Sequence, residues 1–440
     1  MSYNFADIFP ESIFFVSPDV KRGMGLEDVL PHYHIVCTYF DPLIPILRRQ
    51  GARIFCLEEV DPRKSLETNN TGKLLENPVV LDYIRKNSSG KPNIAFFKPS
   101  VKIDLILQKY GWSAIGNSAS LNEQFENKVT FYKSVMQLMP EYALATVFGK
   151  LGEMNYEELS KQLDKKMVIQ FGHGWAGKTT YFINNNQDFL TVAGKFPQTL
   201  VKISKQISDC FTVLNNCCLY DHRIFVSPPA IQISNIPELY PKPGVTCGRQ
   251  WPVKFLDQKQ VTQISRISQE VGRWMDKDGF GGFFGLDFLV EKASGRIYLS
   301  ENNARLTASS PLYTRLEKGL GRMPLFVYHL ASFFGKTIPV DADLSDQVIG
   351  SQITIRQTSG EPLVSKLEDY GVYQIQKGKP LLLRRDYYPE KLKEDEFIFM
   401  KRFKKETGNE DEETGRIEAK REVLENITKV LPWLSNLLAK

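Results

Sequence analysis

Cysteine and histidine are scarce in this chain of 440 residues, and both are scattered. The six cysteines stand at 37, 56, 210, 217, 218 and 247 with no CxxC pair, so neither a disulfide framework nor a thiolate metal site has the spacing it needs. The five histidines, at 32, 34, 173, 222 and 329, give no ligand spacing for zinc. An excess of one charge is missing too: 56 basic against 51 acidic side chains leave +5, which gives no reason to invoke nucleic acid or an anionic membrane surface. No run approaches the ~20 apolar residues that a spanning helix needs. The opening MSYNFADIFPESIFFV is acidic where a secretory leader is basic. With 42% hydrophobic and 24% charged residues, a disordered or fibrous chain is excluded. The expectation is a soluble, cytoplasmic chain of about three domains, without nucleic-acid or membrane partners and with a homodimer left open.

What is present reads first as alternating strands and helices. Ile13–Val16, Arg53–Leu57 and Asn93–Phe97 are short apolar runs, and helical segments at 43–50 and 104–110 are stopped by Gly51 and Gly111. That alternation predicts a parallel α/β sheet. Residues 62–92 read as turns around short helices. Phe125, Val129, Tyr132, Val135 and Met139 recur at helical spacing and predict one helix over 121–139, ended by Pro140. A second helix, 156–163, leads to the strand Met167–Phe171. Segments 202–207, 212–214 and 224–226 read as antiparallel strands. Asp257 caps a helix with the face Val261, Ile264, Ile267, Val271 and Trp274. Stretches 227–256 and 306–325 read as irregular. The tail beyond 345 alternates short strands with charged runs, and Val423, Ile427, Val430, Leu434 and Leu438 predict a final helix.

Gly172-His173-Gly174-Trp175-Ala176-Gly177-Lys178-Thr179 matches the P-loop pattern letter for letter and comes directly after a strand. A P-loop requires a helix to begin right after its Lys-Thr, so that backbone N–H groups meet the phosphates. Here the next residues are Thr179-Thr180-Tyr181-Phe182-Ile183, β-branched and aromatic and closed by three asparagines, which predicts a strand. The unit is a hairpin with a glycine-rich tip able to close over phosphates. A P-loop phosphotransferase using 172–179 stands as an alternative, decided by whether a helix begins directly after Lys178.

The most informative segment is 281–303. An apolar strand interrupted by Asp287 runs to a turn at Lys292-Ala293-Ser294-Gly295, and Arg296 to Asn303 returns. Pairing across this turn puts the sum of partner numbers near 587 or 588, which sets Asp287 opposite or next to Glu301. Side chains alternate along a strand, so Asn303 shares the face of Glu301. Like charges placed opposite each other cost up to ~1 kcal/mol, a cost that a cation between them removes. Hard oxygen donors at this density suit Mg²⁺, with Mn²⁺ as a substitute.

Taken in chain order, these pieces resemble an ATP-grasp enzyme. The elements are the helix with Asn127-Lys128, the strand and glycine hairpin of 167–183, the strand 201–207, the Asp287 strand, and Glu301, Asn303 and Arg305 in a Glu-x-Asn-x-Arg pattern. The likeness covers roughly residues 90–335. It implies four units: a pre-ATP-grasp α/β domain over 1–120, one ATP-grasp lobe over 121–200, a second over 201–340, and an appended C-terminal lobe over 341–440. It also implies an ADP-forming ligase that uses ATP and Mg²⁺ to join a small-molecule carboxylate, as an acyl phosphate, to an amine. By resemblance, Asp287, Glu301 and Asn303 hold the metal and Lys128 contacts a phosphate. Gly172, Gly174 and Gly177 cover the β- and γ-phosphates, and Lys202, Ile203 and Ser204 carry the adenine hinge. Arg305 and Lys178 act on the transferring group. Gln170 stands where many members have a lysine and can bond a phosphate or ribose without carrying a charge, and Lys178 is the candidate to replace that charge; the hinge lacks its usual glutamate. Chemistry alone nominates Arg249, Trp251 and Arg315 to grip a carboxylate. A nucleotide-binding protein without catalysis is the competing function.

Overall fold

The structure is a computed structural model that describes residues 4–174, 179–240, 244–340, 348–356, 367, 369–401 and 413–438. The N-terminal unit is a five-stranded parallel sheet built from β1 (Ile13–Val16), β2 (Tyr33–Cys37), β3 (Arg53–Cys56), β4 (Asn93–Phe96) and β5 (Ser113–Ile115), in the order β3-β2-β1-β4-β5. Both faces are covered, as a parallel sheet requires. Phe14, Val16 and Ile94 face the helices Thr71–Glu76, Pro78–Lys86 and Val101–Tyr110. Phe15 and Ile35 face the helix Leu325–Phe334, where the Phe15 and Phe326 rings meet edge to face at 6.2 Å. This second packing welds the domain to the rest of the chain. Strand β2 is an element the apolar-run pattern passed over, because Tyr33 and His34 interrupt its run.

The single helix expected over 121–139 is two helices, Ala119–Glu126 and Lys128–Leu138, broken at Asn127. Asn127 is extended (ψ 118°), and its side chain accepts from the Val129 and Thr130 N–H groups at 2.9 and 3.3 Å, capping the second helix. The small lobe comes next: β6 (Thr146–Lys150), β7 (Met167–Phe171), β8 (Thr180–Ile183) and β9 (Leu200–Lys205), an antiparallel sheet in the order β6-β9-β7-β8. One face buries Met167, Ile169, Ile183, Val201 and Ile203 against the helices Tyr156–Gln162 and Asn186–Lys195. The other face is mostly polar, with Gln170, Thr180, Lys202 and Ser204 beside Val168 and Phe182. Because β8 pairs antiparallel with β7, Thr180 opposite Gln170, the chain after the glycine loop is a strand and a P-loop is excluded.

The large sheet has eleven strands. Its first half is β10 (Cys210–Tyr220), β11 (Arg223–Val226), β12 (Ala230–Ser234), β13 (Thr246–Trp251), β14 (Gly282–Glu291) and β15 (Ile297–Asn303). Its second half is β16 (Gly350–Arg356), β17 (Gly371–Gln376), β18 (Lys379–Arg384), β19 (Glu396–Lys401) and β20 (Glu413–Ala419). Strand β16 pairs with β13, so the C-terminal strands extend the sheet of the central lobe. The helix Gln258–Lys277, started by a capping box at Asp257 and Gln260, covers the face that holds Cys217, Phe284 and Leu286. Stretches read as irregular carry β12, β13 and the helix Ser310–Gly319. The expected helix over 423–438 is instead a two-strand ladder, Leu424–Asn426 with Lys429–Val430, leading into a short helix Pro432–Leu438. Pro432 sets that helix's start, and the β-branched Val423, Thr428 and Val430 favour extended backbone before it. Among the described residues no helix is long and apolar enough to cross a membrane.

Two residues nominated to grip a substrate belong to the core. Trp251 is fully buried beside Tyr313, ring centroids 5.3 Å apart. Arg315 is buried, pairs with Glu418 at 2.7 Å and donates to the carbonyls of Pro311 and Tyr387. Gln352 Nε2 donates to the other Glu418 oxygen at 2.8 Å, so this pair ties the helix 310–319 to the C-terminal strands. Removing one partner of such a pair leaves a buried, unmatched charge. Glu418→Gln is therefore expected to lower unfolding stability by about 3–5 kcal/mol in urea titration of the whole chain; a loss within about 0.5 kcal/mol would contradict this account.

Candidate active site

A cleft of ≈ 1990 Å³ lies where three surfaces meet: the polar face of the small lobe, the large sheet, and the carboxyl ends of β1 and β4. Its walls result from strand alternation. Val168, Gln170, Thr180, Phe182, Lys202 and Ser204 point into it because their neighbours in sequence fill the small-lobe core. Leu144, Val168, Phe211 and Leu289 contribute apolar surface to it, and Asp287, Glu301 and Asn303 stand on the large sheet.

In the β14–β15 hairpin, Asp287 pairs with Glu301, and a bulge between Asp287 and Phe288 shifts the register by one beyond that point. Asn303 lies two residues along on the same face, and its Nδ2 donates to Asp287 Oδ2 at 3.2 Å. Asp287 is 7% exposed, and its Oδ1 is buried with no hydrogen-bond partner among the described residues. Burial pushes its carboxyl above the ordinary value, against the pull of Arg249 and Lys128. Each remaining donor is held by a cation: Lys128 Nζ contacts Glu301 Oε2, and Arg305 Nη2 donates to Asn303 Oδ1 at 2.9 Å. An orphaned carboxylate oxygen beside two further hard oxygens fits a Mg²⁺-sized ion, with Lys128 and Arg305 occupying its partners in the free protein. Among the described residues no group of three or more His, Cys, Asp or Glu side chains gathers as a metal site, so this set depends on the amide.

Lys128 is the first residue of the helix that Asn127 caps. Its backbone N–H donates to the Gly172 carbonyl at 2.9 Å, which ties the start of the glycine loop to this helix. A side chain at 172 would meet the Asn127 amide 2.8 Å from its Cβ and would have to displace that helix cap. Burial brings the Lys128 ammonium down to about 8, despite Asp287 and Glu126. Arg305 Nε donates to Glu126 Oε1 at 3.0 Å, and Lys98 reaches the same oxygen at 2.8 Å. Burial favours the neutral form of Glu126, but Arg305 and Lys98 outweigh it and hold the carboxyl below its ordinary value.

Lys202 and Gln170 are directly opposite in the β7–β9 ladder, so the two side chains share the cleft face. The sequence therefore has a lysine next to the position where Gln170 lacks one, on the neighbouring strand. Its ammonium donates to the Ser300 carbonyl at 3.2 Å and sits 3.6 Å from the Tyr132 ring centre. Burial drives its pKa well below the ordinary lysine value, and Lys128 adds like-charge repulsion.

The other expected residues divide. Gly174 and Ser204 line the cleft, whereas the Ile203 side chain lies in the small-lobe core, leaving its backbone for any contact. Gly172 borders a separate depression with Asn127 and His173. Gly177 and Lys178 fall outside the described residues. Arg249 lines the cleft. Sequence reasoning missed Arg22, Glu126, Tyr132, Arg356 and Arg416; of these only Glu126, beside Asn127-Lys128, carried a local signal.

No family model matches the sequence, and none of the curated proteins does. Solved structures do match. N5-carboxyaminoimidazole synthetase from Staphylococcus aureus, complexed with ADP, superposes with a TM-score of 0.59 at 11% identity, over 97% of this chain and 96% of that one. The biotin carboxylase domain dimer of 2-oxoglutarate carboxylase from Hydrogenobacter thermophilus, with MgADP and bicarbonate, gives 0.61 at 11% identity over 93% and 86%. Carboxyaminoimidazole ribonucleotide synthase from Aspergillus clavatus, complexed with ATP, gives 0.56 at 10% over 97% and 98%. At these identities the likeness is one of fold. The chain has the ATP-grasp fold, with the α/β domain that precedes it in such proteins.

The buried Lys202 makes a prediction for the free protein. Its folded pKa lies below the ordinary value of about 10.4, so between the two the unfolded chain binds the extra proton and stability rises with pH. Lys202→Met is expected to stabilise the free protein by about 1–2 kcal/mol at neutral pH and to flatten that alkaline rise in thermal unfolding. A destabilised variant with the rise intact would show the ammonium to be satisfied where it lies.

Proposed function

We propose that this chain is an ATP-dependent, ADP-forming ligase that activates a small-molecule carboxylate as an acyl phosphate and joins it to an amine. The carrying observation is the paired placement of Asp287, Glu301 and Asn303 beside Lys128 and the buried Lys202 in one cleft. The neighbours' bound ADP, MgADP and ATP support the nucleotide assignment.

In this proposal the adenine lies against Leu144, Val168 and Leu289, near the crossing from β9 to β10, where backbone groups around Ile203 to Gln206 face it. Lys128 and Lys202 take the phosphates, Lys202 supplying the charge that Gln170 lacks. Asp287, Glu301 and Asn303 hold Mg²⁺, or Mn²⁺ in its place, which when bound neutralises phosphate charge. Lys128 leaves Glu301 for a phosphate oxygen, and Arg305 leaves the Asn303 oxygen and steadies the transferring phosphoryl group. Gly174, at the start of the glycine-rich loop, covers the β- and γ-phosphates, and the acyl phosphate has to be kept from water.

Both chemical steps balance. A substrate carboxylate oxygen attacks the γ-phosphorus, and that phosphorus loses its bond to the β–γ bridging oxygen, which departs with ADP. The amine nitrogen then attacks the acyl carbon, the carbon–oxygen bond to phosphate breaks, and the amine proton leaves with phosphate or solvent. Phosphoryl transfer needs positioning and charge more than acid–base chemistry, which matches a site richer in lysine and arginine than in histidine. Two copies pairing as a homodimer belongs to this proposal, since the biotin carboxylase domain is itself a dimer.

ADP release over panels of small carboxylates and amines tests the function. Glu301→Gln is expected to lower ADP release by at least ~10²-fold while the protein stays folded. Full turnover in that variant would remove the metal assignment. Nucleotide binding without turnover over every panel would favour a nucleotide-binding protein without catalysis.

A further inference from the structure

Beyond Asp287, Glu301 and Asn303 the cleft changes character. Arg22, Arg249, Arg305, Arg356 and Arg416 line it there, brought from three parts of the chain: the turn after β1, the central strands with their exit from β15, and the C-terminal strands β16 and β20. Among the described residues of the whole cleft, ten lysines and arginines face four aspartates and glutamates, although the entire chain carries a net charge of only +5. The positive charge of this protein is concentrated in one cavity.

Most of these cations have partners. Lys128 contacts Glu301, Arg305 holds Glu126 and Asn303, and Arg416 pairs with Glu413 at 2.9 Å. Arg356 donates to the Thr246 carbonyl. Arg22 and Arg249 differ. Among the described residues neither makes an ion pair, and Arg22 Nη1 and Arg249 Nε are buried donors with no acceptor. Arg22 lies with its guanidinium 4.3 Å above the Phe97 ring, between Ser17-Pro18-Asp19 after β1 and Phe97-Lys98-Pro99 after β4. That is the point where the order of the N-terminal sheet reverses, the crevice where doubly wound sheets take ligands. Burial brings Arg22 down to about 10, and nearby Arg416 and Arg305 push the same way against Asp19. Arg249 is likewise lowered by burial, with Asp287 opposing and Arg305 and Arg416 adding to the shift. Buried guanidinium donors without acceptors, crowded by like charges, destabilise a protein unless an anion completes them.

The charge of the nucleotide does not supply that anion, because Lys128 and Lys202 already face the triphosphate. A single reacting carboxylate does not supply it either: that group sits beside Arg305 and the γ-phosphate, and on activation its negative charge passes to the phosphoryl group held there. Resting on the ligase proposal, we infer that the carboxylate substrate is at least a dianion: one carboxylate reacts near Arg305, and a second fixed anionic group, carboxylate or phosphate, is gripped by Arg22 and Arg249. Gln232, the cross-strand neighbour of Arg249 on β12, lines the cleft at the same level, while Gln352, its neighbour on β16, is held by Glu418. The planar fork of arginine suits carboxylate and phosphate alike.

The test measures binding to the whole chain, with and without ADP and Mg²⁺, of butyrate, glutarate and phosphonoacetate. The two dianions are expected to bind at least ~10-fold more tightly than butyrate, and the stronger of them identifies whether the second group is carboxylate or phosphate-like. Arg22→Gln and Arg249→Gln should each abolish that preference while leaving ADP·Mg²⁺ affinity within about twofold; Arg22→Lys and Arg249→Lys, which keep the charge without the fork, should retain part of it. Equal binding of mono- and dianions by the native protein would overturn the inference, as would a preference that survives both glutamine variants. Loss of ADP·Mg²⁺ binding in the native chain would instead undo the ligase proposal, and the measurements without nucleotide would still decide the dianion question.

Discussion

Two carboxylates that repel each other are held face to face because the strands carrying them have no other way to pair. Strands β14 and β15 are fixed by Phe284, Leu286 and Phe288 on one side of the hairpin and Ile297 and Leu299 on the other, all buried in one core. That core sets the register, and the register sets Asp287 against Glu301. The repulsion of about 1 kcal/mol and the burial of Asp287 are small beside the apolar burial that fixes the strands. Everything else around the cleft is arranged in answer to this pair. Lys128 contacts one acid, Asn303 bonds the other, and Arg305 secures the Asn303 oxygen while anchored to Glu126. The free protein thus keeps its acid set in shape with its own cations, which are the groups that phosphates attract.

The same logic runs along the cleft. Its floor is apolar near Leu289 and acidic at Asp287, and beyond that it is rich in arginine. Lys202 stands opposite Gln170 in the ladder, so the neighbouring strand brings an amine to the cleft face beside that position. Arg22 and Arg416 reach the far end from opposite termini of the chain, which explains why the N-terminal sheet is welded to the helix 325–334 and the C-terminal strands are fused to the central sheet. A cavity assembled from three parts holds its geometry only if those parts are packed as one body.

Much of this was legible in the sequence, where short-range rules apply. The hairpin register comes from a turn, alternation and arithmetic, and the strand after the glycine loop comes from β-branched residues closed by asparagines. The α/β alternation of the first hundred residues likewise needed only periodicity. What was missed was either a side-chain cap that apolar spacing does not register or a contact between distant segments. The apolar spacing of Phe125 to Met139 runs through Asn127 without a flaw, yet the chain breaks there because the asparagine side chain caps a new helix. The spacing of Val423 to Leu438 fits a helix equally well, but Val423 and Leu424 are captured by Gln250, whose Oε1 accepts from both N–H groups. Arg315 and Trp251 looked like ligand-binding residues by type and are core residues by position. Arg22 and Arg416 had no signal in sequence, since nothing local says that they meet.

The central claim is that Asp287, Glu301 and Asn303 act together as ligands for a divalent cation under a triphosphate. Anomalous diffraction from a crystal of the protein with Mn²⁺ and a non-hydrolysable ATP analogue tests it most directly. The account predicts a manganese peak within about 2.5 Å of an oxygen from each of the three side chains, with Lys128 drawn off Glu301 onto a phosphate oxygen. A manganese peak elsewhere, or a bound nucleotide with the Lys128–Glu301 contact still intact, would contradict it.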